Sequence, residues 1–270
     1  MALGGKISWD HPFYCLNLRI MAATIQMNST ISVDCVVFGF DGTSLKVLLV
    51  RRKYAMDDIS ADDLKLPGEM IRENETLDAA AARVLKEYTG LESIYLKQTG
   101  VFSDPDRVSG KELKWICEYH GINTARVITV GYYALVRIDS KMLANTGRKR
   151  AVWEDVDSIH SLIMDHFEIL SDALSHLYME ITRTPAAFEL LPKRFTIRQL
   201  QNLFSAVMGV SFDNRNFRKK FLSTGLLIPT DRKESHVAHK PARYYEFNRT
   251  AYNKALKERN PLKFLANWAY

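Results

Sequence analysis

From Ala186 to the end, the chain carries 16 Lys and Arg against 6 Asp and Glu, a net of +10; the first 185 residues carry 21 against 25, a net of −4. A single uniform domain does not account for that break. A basic module behind a mildly acidic one has the charge footprint of nucleic-acid binding appended to a second activity, and the length of 270 residues suits two domains. The competing reading, a basic surface kept for solubility, asks nothing of the fold. With 47% apolar and 25% charged residues, the composition excludes disorder, collagen and coiled coil. Three cysteines (Cys15, Cys35 and Cys117) at no repeating spacing make neither a disulfide framework nor a four-cysteine zinc site, so no metal is expected and a reducing cytoplasm is. Asn17 and Arg19 interrupt the apolar residues near the start, and no stretch approaches ~20 uninterrupted apolar residues. Neither a signal peptide nor a membrane partner is expected, and residues 1–28 are expected to be a peripheral extension.

Ile31 to Phe40 and Leu45 to Arg51 are rich in β-branched residues, and Asp41-Gly42-Thr43-Ser44 between them reads as a hairpin turn. A helix is expected from Leu77, with further strands over Ser93 to Phe102 and Val127 to Val136. The long connection between those strands has a short helical pattern near Glu112 to Tyr119, and connections of that length are often functional. Asp165 and Glu168 have the spacing of a helix start, opening an amphipathic helix to about Ile181 that Thr182 to Pro185 ends. The domain border is placed there.

The segment from Leu66-Pro67-Gly68-Glu69 to Gly90-Leu91 resembles the Nudix box, GX5EX7REUXEEXGU with U aliphatic, a signature of enzymes that hydrolyse nucleoside diphosphates linked to another group. It keeps Glu75, Arg83, Leu85, Glu87, Gly90 and Leu91, and has Glu69, Val84 and Tyr88 where the motif has a glycine and two glutamates. Positions 84, 87 and 88 share one helical face, where the intact motif holds Mg²⁺ on carboxylates. With Glu87 alone of those three, the expectation is a fold kept without its metal chemistry, hence no catalytic residue and no required cofactor. Glu87 also reads as a surface partner of Arg83 at i,i+4 spacing. Leu77, Ala80, Ala81, Val84, Leu85 and Tyr88 form an apolar helical stripe.

In the basic part, Thr196 and Gln199 have capping-box spacing behind Phe195, and Leu200, Leu203, Phe204 and Val207 give the helix an inward face. Gly209 breaks it, and Asp213 opens a second helix with Phe217 and Phe221 inward and Arg215, Arg218 and Lys219 outward, stopped by Gly225. Leu226 to Ile228 and Tyr244 to Phe247 then read as two strands around Arg232, Lys233, His236, His239, Lys240 and Arg243. That order is a winged helix: a helix for the major groove and a basic hairpin for phosphates. His236 and His239 read as solvated loop residues, and Tyr244, Tyr245 and Phe247 as core.

Taken together, the box, Val130-Gly131-Tyr132-Tyr133-Ala134-Leu135, Asp165-His166 and the run from Leu191 to Phe247 resemble the Nudix-related transcriptional regulators of the NrtR and AraR type. The resemblance implies an α+β fold: a Nudix-type mixed sheet sandwiched by helices over 29–184, a winged helix-turn-helix domain over 185–250 and a tail over 251–270. It implies a cytoplasmic homodimer that binds double-stranded operator DNA and senses a sugar or an ADP-ribose-like nucleotide. The candidate DNA-binding residues are Thr196, Arg198, Asn214, Arg215, Asn216, Arg218, Lys219, Lys220, Arg232, Lys233, Lys240 and Arg243. Arg51, Asp104 and Asp106 are the candidate effector ligands. Residues 107–126, with Trp115, depart from the family pattern beside the ligand cleft, so the effector does not carry over. The alternative is a Mg²⁺-dependent hydrolase of ADP-ribose-like compounds.

Overall fold

The computed structural model describes residues 27–56, 59–92, 94–108, 110–138, 151–235 and 240–257. His236, His239, nearly all of the expected N-terminal extension and most of the expected tail lie outside the described residues. The chain first builds a mixed sheet from β1 (Met27–Phe40), β2 (Leu45–Met56), β3 (Ile59–Lys65), β4 (Gly68–Arg72), β5 (Tyr95–Phe102), β6 (Ile128–Arg137) and β7 (Ala151–Asp155). The order is β3-β2-β1-β6-β5, with β4 paired to β1 and β7 to β2; β1 and β6 run parallel and the other pairs antiparallel. The hairpin turn forms as expected, because the Asp41 carboxylate accepts the Thr43 and Ser44 amides.

β1 is central and buried on both faces, so its sequence is a nearly continuous apolar run. Its residues alternate. Val33, Cys35 and Val37 pack toward α1 (Leu77–Thr89), whereas Val36, Phe38 and Phe40 pack toward α3 (His166–Arg183). The short helix α2 (Gly110–His120) rises from the long β5–β6 connection and packs Ile116 against Met70, Val108 and Val127.

The second unit comprises α4 (Ile197–Met208), α5 (Asn214–Ser223), α6 (Arg249–Lys257) and a three-stranded sheet in the order β8 (Phe195–Thr196), β10 (Arg243–Phe247), β9 (Leu227–Lys233). The capping box at Thr196 and Gln199 is formed in full, and Asp213 caps α5 through the Asn216 amide at 2.8 Å. Phe204, Phe217 and Phe221 are each 1% exposed, with Phe217 and Phe221 4.5 Å apart between ring centroids. Truncating one of these rings to alanine should cost about 3–5 kcal/mol.

One hydrophobic cluster joins both units: it runs from Phe38 and Phe40 through Ile169, Ala173 and Leu177 of α3 to Leu200 and Phe204 of α4. Asn202 Nδ2 donates to the Gly42 carbonyl at 3.1 Å, and Arg137 Nε donates to the Leu191 carbonyl at 2.6 Å. The winged helix therefore rests on the face of the sheet that α3 covers.

Candidate functional site

A cleft of about 340 Å³ opens between the start of β1, the β3–β4 turn, α2 and the N-terminus of α3. Asp34 sits on the α3 side of β1 and is 5% exposed. Its Oδ2 accepts the Thr129 hydroxyl at 2.7 Å and lies 3.8 Å from the Arg107 guanidinium. Gly68 pairs opposite Asp34, and a Cβ there would fall 1.9 Å from Asp34 Oδ1, so only glycine fits. Burial pushes the Asp34 pKa up, but His166, Lys65, Arg107 and the Thr129 hydroxyl outweigh it, and the carboxyl is held below its usual range.

His166, the first residue of α3, accepts the Leu66 amide on Nδ1 at 2.9 Å. An accepting Nδ1 requires the neutral ring with its proton on Nε2, the nitrogen 3.9 Å from Asp34 Oδ1. Burial agrees, pushing this pKa down to about 4. Arg107 clamps both oxygens of Asp165 at 2.7 Å each, with 3% and 11% of the two side chains exposed. Met164, just before it, has φ +51, the one non-glycine positive φ among the described residues, a conformation that costs about 1–3 kcal/mol and is held by its surroundings. Asp165 thus departs from the expected helix cap: its carboxylate is taken by Arg107, and only its backbone carbonyl serves the first turn.

The box segment forms the loop and helix expected of it. Thr76 caps α1 through the Ala79 amide at 3.2 Å, and Gly90 closes it at φ +71, where its amide donates to the Lys86 carbonyl. Arg83 turns back to Glu75, Nε to Oε1 and Nη2 to Oε2 at 2.8 Å each, and also donates to the Met70 carbonyl at 3.1 Å. Its main partner is therefore Glu75 rather than the i,i+4 neighbour Glu87. Val84 and Tyr88 are buried in the core beneath the sheet, and Tyr88 also borders the cleft that Glu87 and Glu69 line. Burial, aided by nearby Glu87, pushes the Glu69 carboxyl up. Among the described residues, no group of three or more His, Cys, Asp or Glu could hold a metal ion.

Of the three candidate effector ligands, Arg51 lines this cleft. Asp104 and Asp106 do not: they line a neighbouring groove with Glu112 and Glu168. The loop after β5 closes on itself there, with Asp104 Oδ1 accepting the Asp106 amide, and the residue it sends inward is Arg107. Asp34, Lys65, Arg107, Trp115, Tyr119, His120 and His166 line the cleft without having been singled out as ligands.

On the winged helix, Arg198, Arg215, Asn216, Lys219, Lys220, Arg232, Lys233, Lys240 and Arg243 are all exposed. Arg218 is exposed too and donates to the Tyr245 hydroxyl at 3.3 Å, which orients it along the wing sheet. Two residues of the candidate set have other work. Thr196 is 2% exposed and spent on the capping box, and Asn214 Oδ1 accepts Gln201 Nε2 at 2.6 Å, tying α5 to α4. The remaining residues of the set, all basic but Asn216, are exposed on α4, on α5 and along the β9–β10 wing.

Residues 28–172 match the NUDIX domain family, and residues 187–247 match the NrtR DNA-binding winged helix domain. The ADPR responsive transcriptional repressor NtrR of Acinetobacter baylyi is 27% identical over 222 residues, covering 80% of this chain and 81% of that one. The ADP-ribose pyrophosphatase of Methanocaldococcus jannaschii is 28% identical over 127 residues, 47% of this chain and 64% of that enzyme. Shewanella oneidensis NrtR, solved with a 27mer DNA, shares the fold at a TM-score of 0.64 and 24% identity, over 82% of this chain and 94% of that one. No helix among the described residues is long and apolar enough to cross a membrane. The chain belongs to the Nudix family, and its Nudix domain is followed by a segment that matches the NrtR DNA-binding winged helix domain.

Proposed function

We propose that the protein is a cytoplasmic, homodimeric transcriptional regulator. Its cleft binds an ADP-ribose-like nucleotide, and its winged helix binds operator DNA. The observation that carries this reading is the single core running from the cleft end of α3 into α4, because it gives the cleft a packed route to the unit that bears the exposed basic residues. The likeness to an ADPR responsive repressor supports the choice of ligand. The effector must bind the DNA-competent and DNA-incompetent states with different affinity, since a ligand shifts an equilibrium only by that difference. In this reading the box does no hydrolysis and needs no cofactor, because Val84 and Tyr88 serve packing.

Fluorescence anisotropy with DNA from upstream of its own operon tests the reading. Operator affinity should fall roughly 10³-fold or more between 50 and 200 mM salt and change on adding ADP-ribose. Salt-insensitive binding, or no response to ADP-ribose, rejects it. The second reading, a Mg²⁺-dependent hydrolase, draws on the likeness to the pyrophosphatase and on Glu69 and Glu87 both lining the cleft. Release of AMP from ADP-ribose with Mg²⁺, abolished by Glu87→Gln, would establish it.

A further inference from the structure

α2 rises from the long β5–β6 connection and brings aromatic rings to the cleft. Trp115 and Tyr119, one turn apart, stack with ring centroids 5.2 Å apart and planes 23° apart. The Arg52 guanidinium carbon lies 4.8 Å from the centre of the Trp115 ring and fixes it from the β2 side. Ile116, between them in sequence, is buried against Met70, Val108 and Val127, so the rings stand on an anchored helix. Tyr119 lines the cleft and is 62% exposed, stacked on Trp115 and met edge-on by the His120 ring, 4.8 Å away between centroids.

The same cleft is lined by Arg51, Arg52, Lys65 and Arg107 against Asp34, Glu69 and Glu87, one cation in excess, with Arg107 already paired to Asp34 and Asp165; the adjoining His120 is neutral at physiological pH, since burial pushes its pKa down to about 4. A ligand that meets both features has a flat heteroaromatic ring and an anionic group. A free pentose has neither. We propose that α2 is the element that reads the effector's ring: Tyr119, backed by Trp115, stacks on a nucleobase-like heterocycle, so the site selects a nucleotide over a sugar. This rests on the reading of the cleft as the effector site.

The test uses the full chain and calorimetric titration with ADP-ribose, ribose 5-phosphate and L-arabinose. Tyr119→Ala should weaken ADP-ribose about tenfold, the loss expected for one base–aromatic stack, and leave ribose 5-phosphate within about twofold. Trp115→Phe should keep most of the ADP-ribose affinity and Trp115→Leu should lose it, which separates a ring requirement from general packing. Unchanged ADP-ribose affinity in Tyr119→Ala, or an equal loss for both phosphate compounds, overturns the role of α2 while leaving the cleft as the effector site. A wild-type chain that binds L-arabinose and neither phosphate compound removes the nucleotide reading and this inference together.

Discussion

The cleft and the winged helix handle charge in opposite ways. Around Asp34 the ionic and polar groups are buried and spent on one another: Arg107 on Asp165 and Asp34, Thr129 on Asp34, the Leu66 amide on His166. On the winged helix, the cations stand in water above a core of phenylalanines. A buried ionic network is strained to dismantle, because removing one member leaves another charge uncompensated; an exposed cation is screened and contributes little to folding. The cleft can therefore hold a fixed geometry for a small ligand, while the winged helix keeps its charges available for a polyanion. Substitutions in the two regions should separate stability from binding.

The largest expected effect is at Arg107. Arg107→Ala leaves the Asp165 carboxylate without its cation and removes one of the cations facing Asp34, and urea unfolding should show a loss of about 3–5 kcal/mol. A loss under 1 kcal/mol would mean that water, rather than the ion pair, satisfies those carboxylates. Gly68→Ala comes next. Its Cβ would meet both Asp34 Oδ1 and the Val33 carbonyl oxygen, so one strand must shift at a cost of about 1–3 kcal/mol. Effector affinity should fall with it, because Asp34 and Lys65 both lean on this turn; Lys65 Nζ donates to the Leu66 and Gly68 carbonyls at 3.2 Å.

The pH dependence of stability sharpens the comparison further. His166 has its folded pKa pushed from 6.5 down to about 4, so between those values the unfolded chain takes up a proton that the folded chain refuses. Stability is full above the unfolded value and is lost as pH falls toward 4, by about 2 kcal/mol between pH 7 and pH 5 for this one group. His120, also pushed to about 4, adds a loss of the same sign. His166→Asn keeps an acceptor for the Leu66 amide and removes the titration, so its stability should change less over that interval than the wild type's. An identical pH profile in the variant would show that His166 is not the group refusing the proton.

The two regions also differed in how far the sequence revealed them, for a physical reason. The winged helix is written in local signals: the Thr196 and Gln199 cap, the Asp213 cap, and Phe217 with Phe221 one turn apart all act within four residues. The hairpin at Asp41 and the box helix from Leu77 are local in the same sense. The cleft is made by partners far apart in the chain. Thr129 and Asp34 are 95 residues apart, Leu66 and His166 are 100 apart, and Arg107 and Asp165 are 58 apart. No local pattern records such pairs: Arg51, Asp104 and Asp106 read as ligands from their charge and place in the chain, whereas Arg107 shows its role only once Asp165 is folded against it. The short strands β3, β4 and β7 were missed too: β3 reads Ile-Ser-Ala-Asp-Asp-Leu-Lys and β4 has five residues, too polar or too short for a periodicity of their own.

The smallest effect on stability is expected where the effect on DNA is plainest. Lys219 is exposed on α5, opposite the buried Phe217 and Phe221, with no shared role in the core. Lys219→Ala should therefore leave unfolding free energy within about 0.5 kcal/mol of the wild type. If Lys219 neutralises a phosphate, the same substitution should weaken operator binding and reduce the slope of log K against log salt by about one, with a similar loss on unrelated DNA. A substitution that lowered operator affinity while leaving the salt slope intact would place Lys219 away from the phosphates. One that cost stability as heavily as Arg107→Ala would erase the distinction between a spent charge and an available one on which the comparison stands.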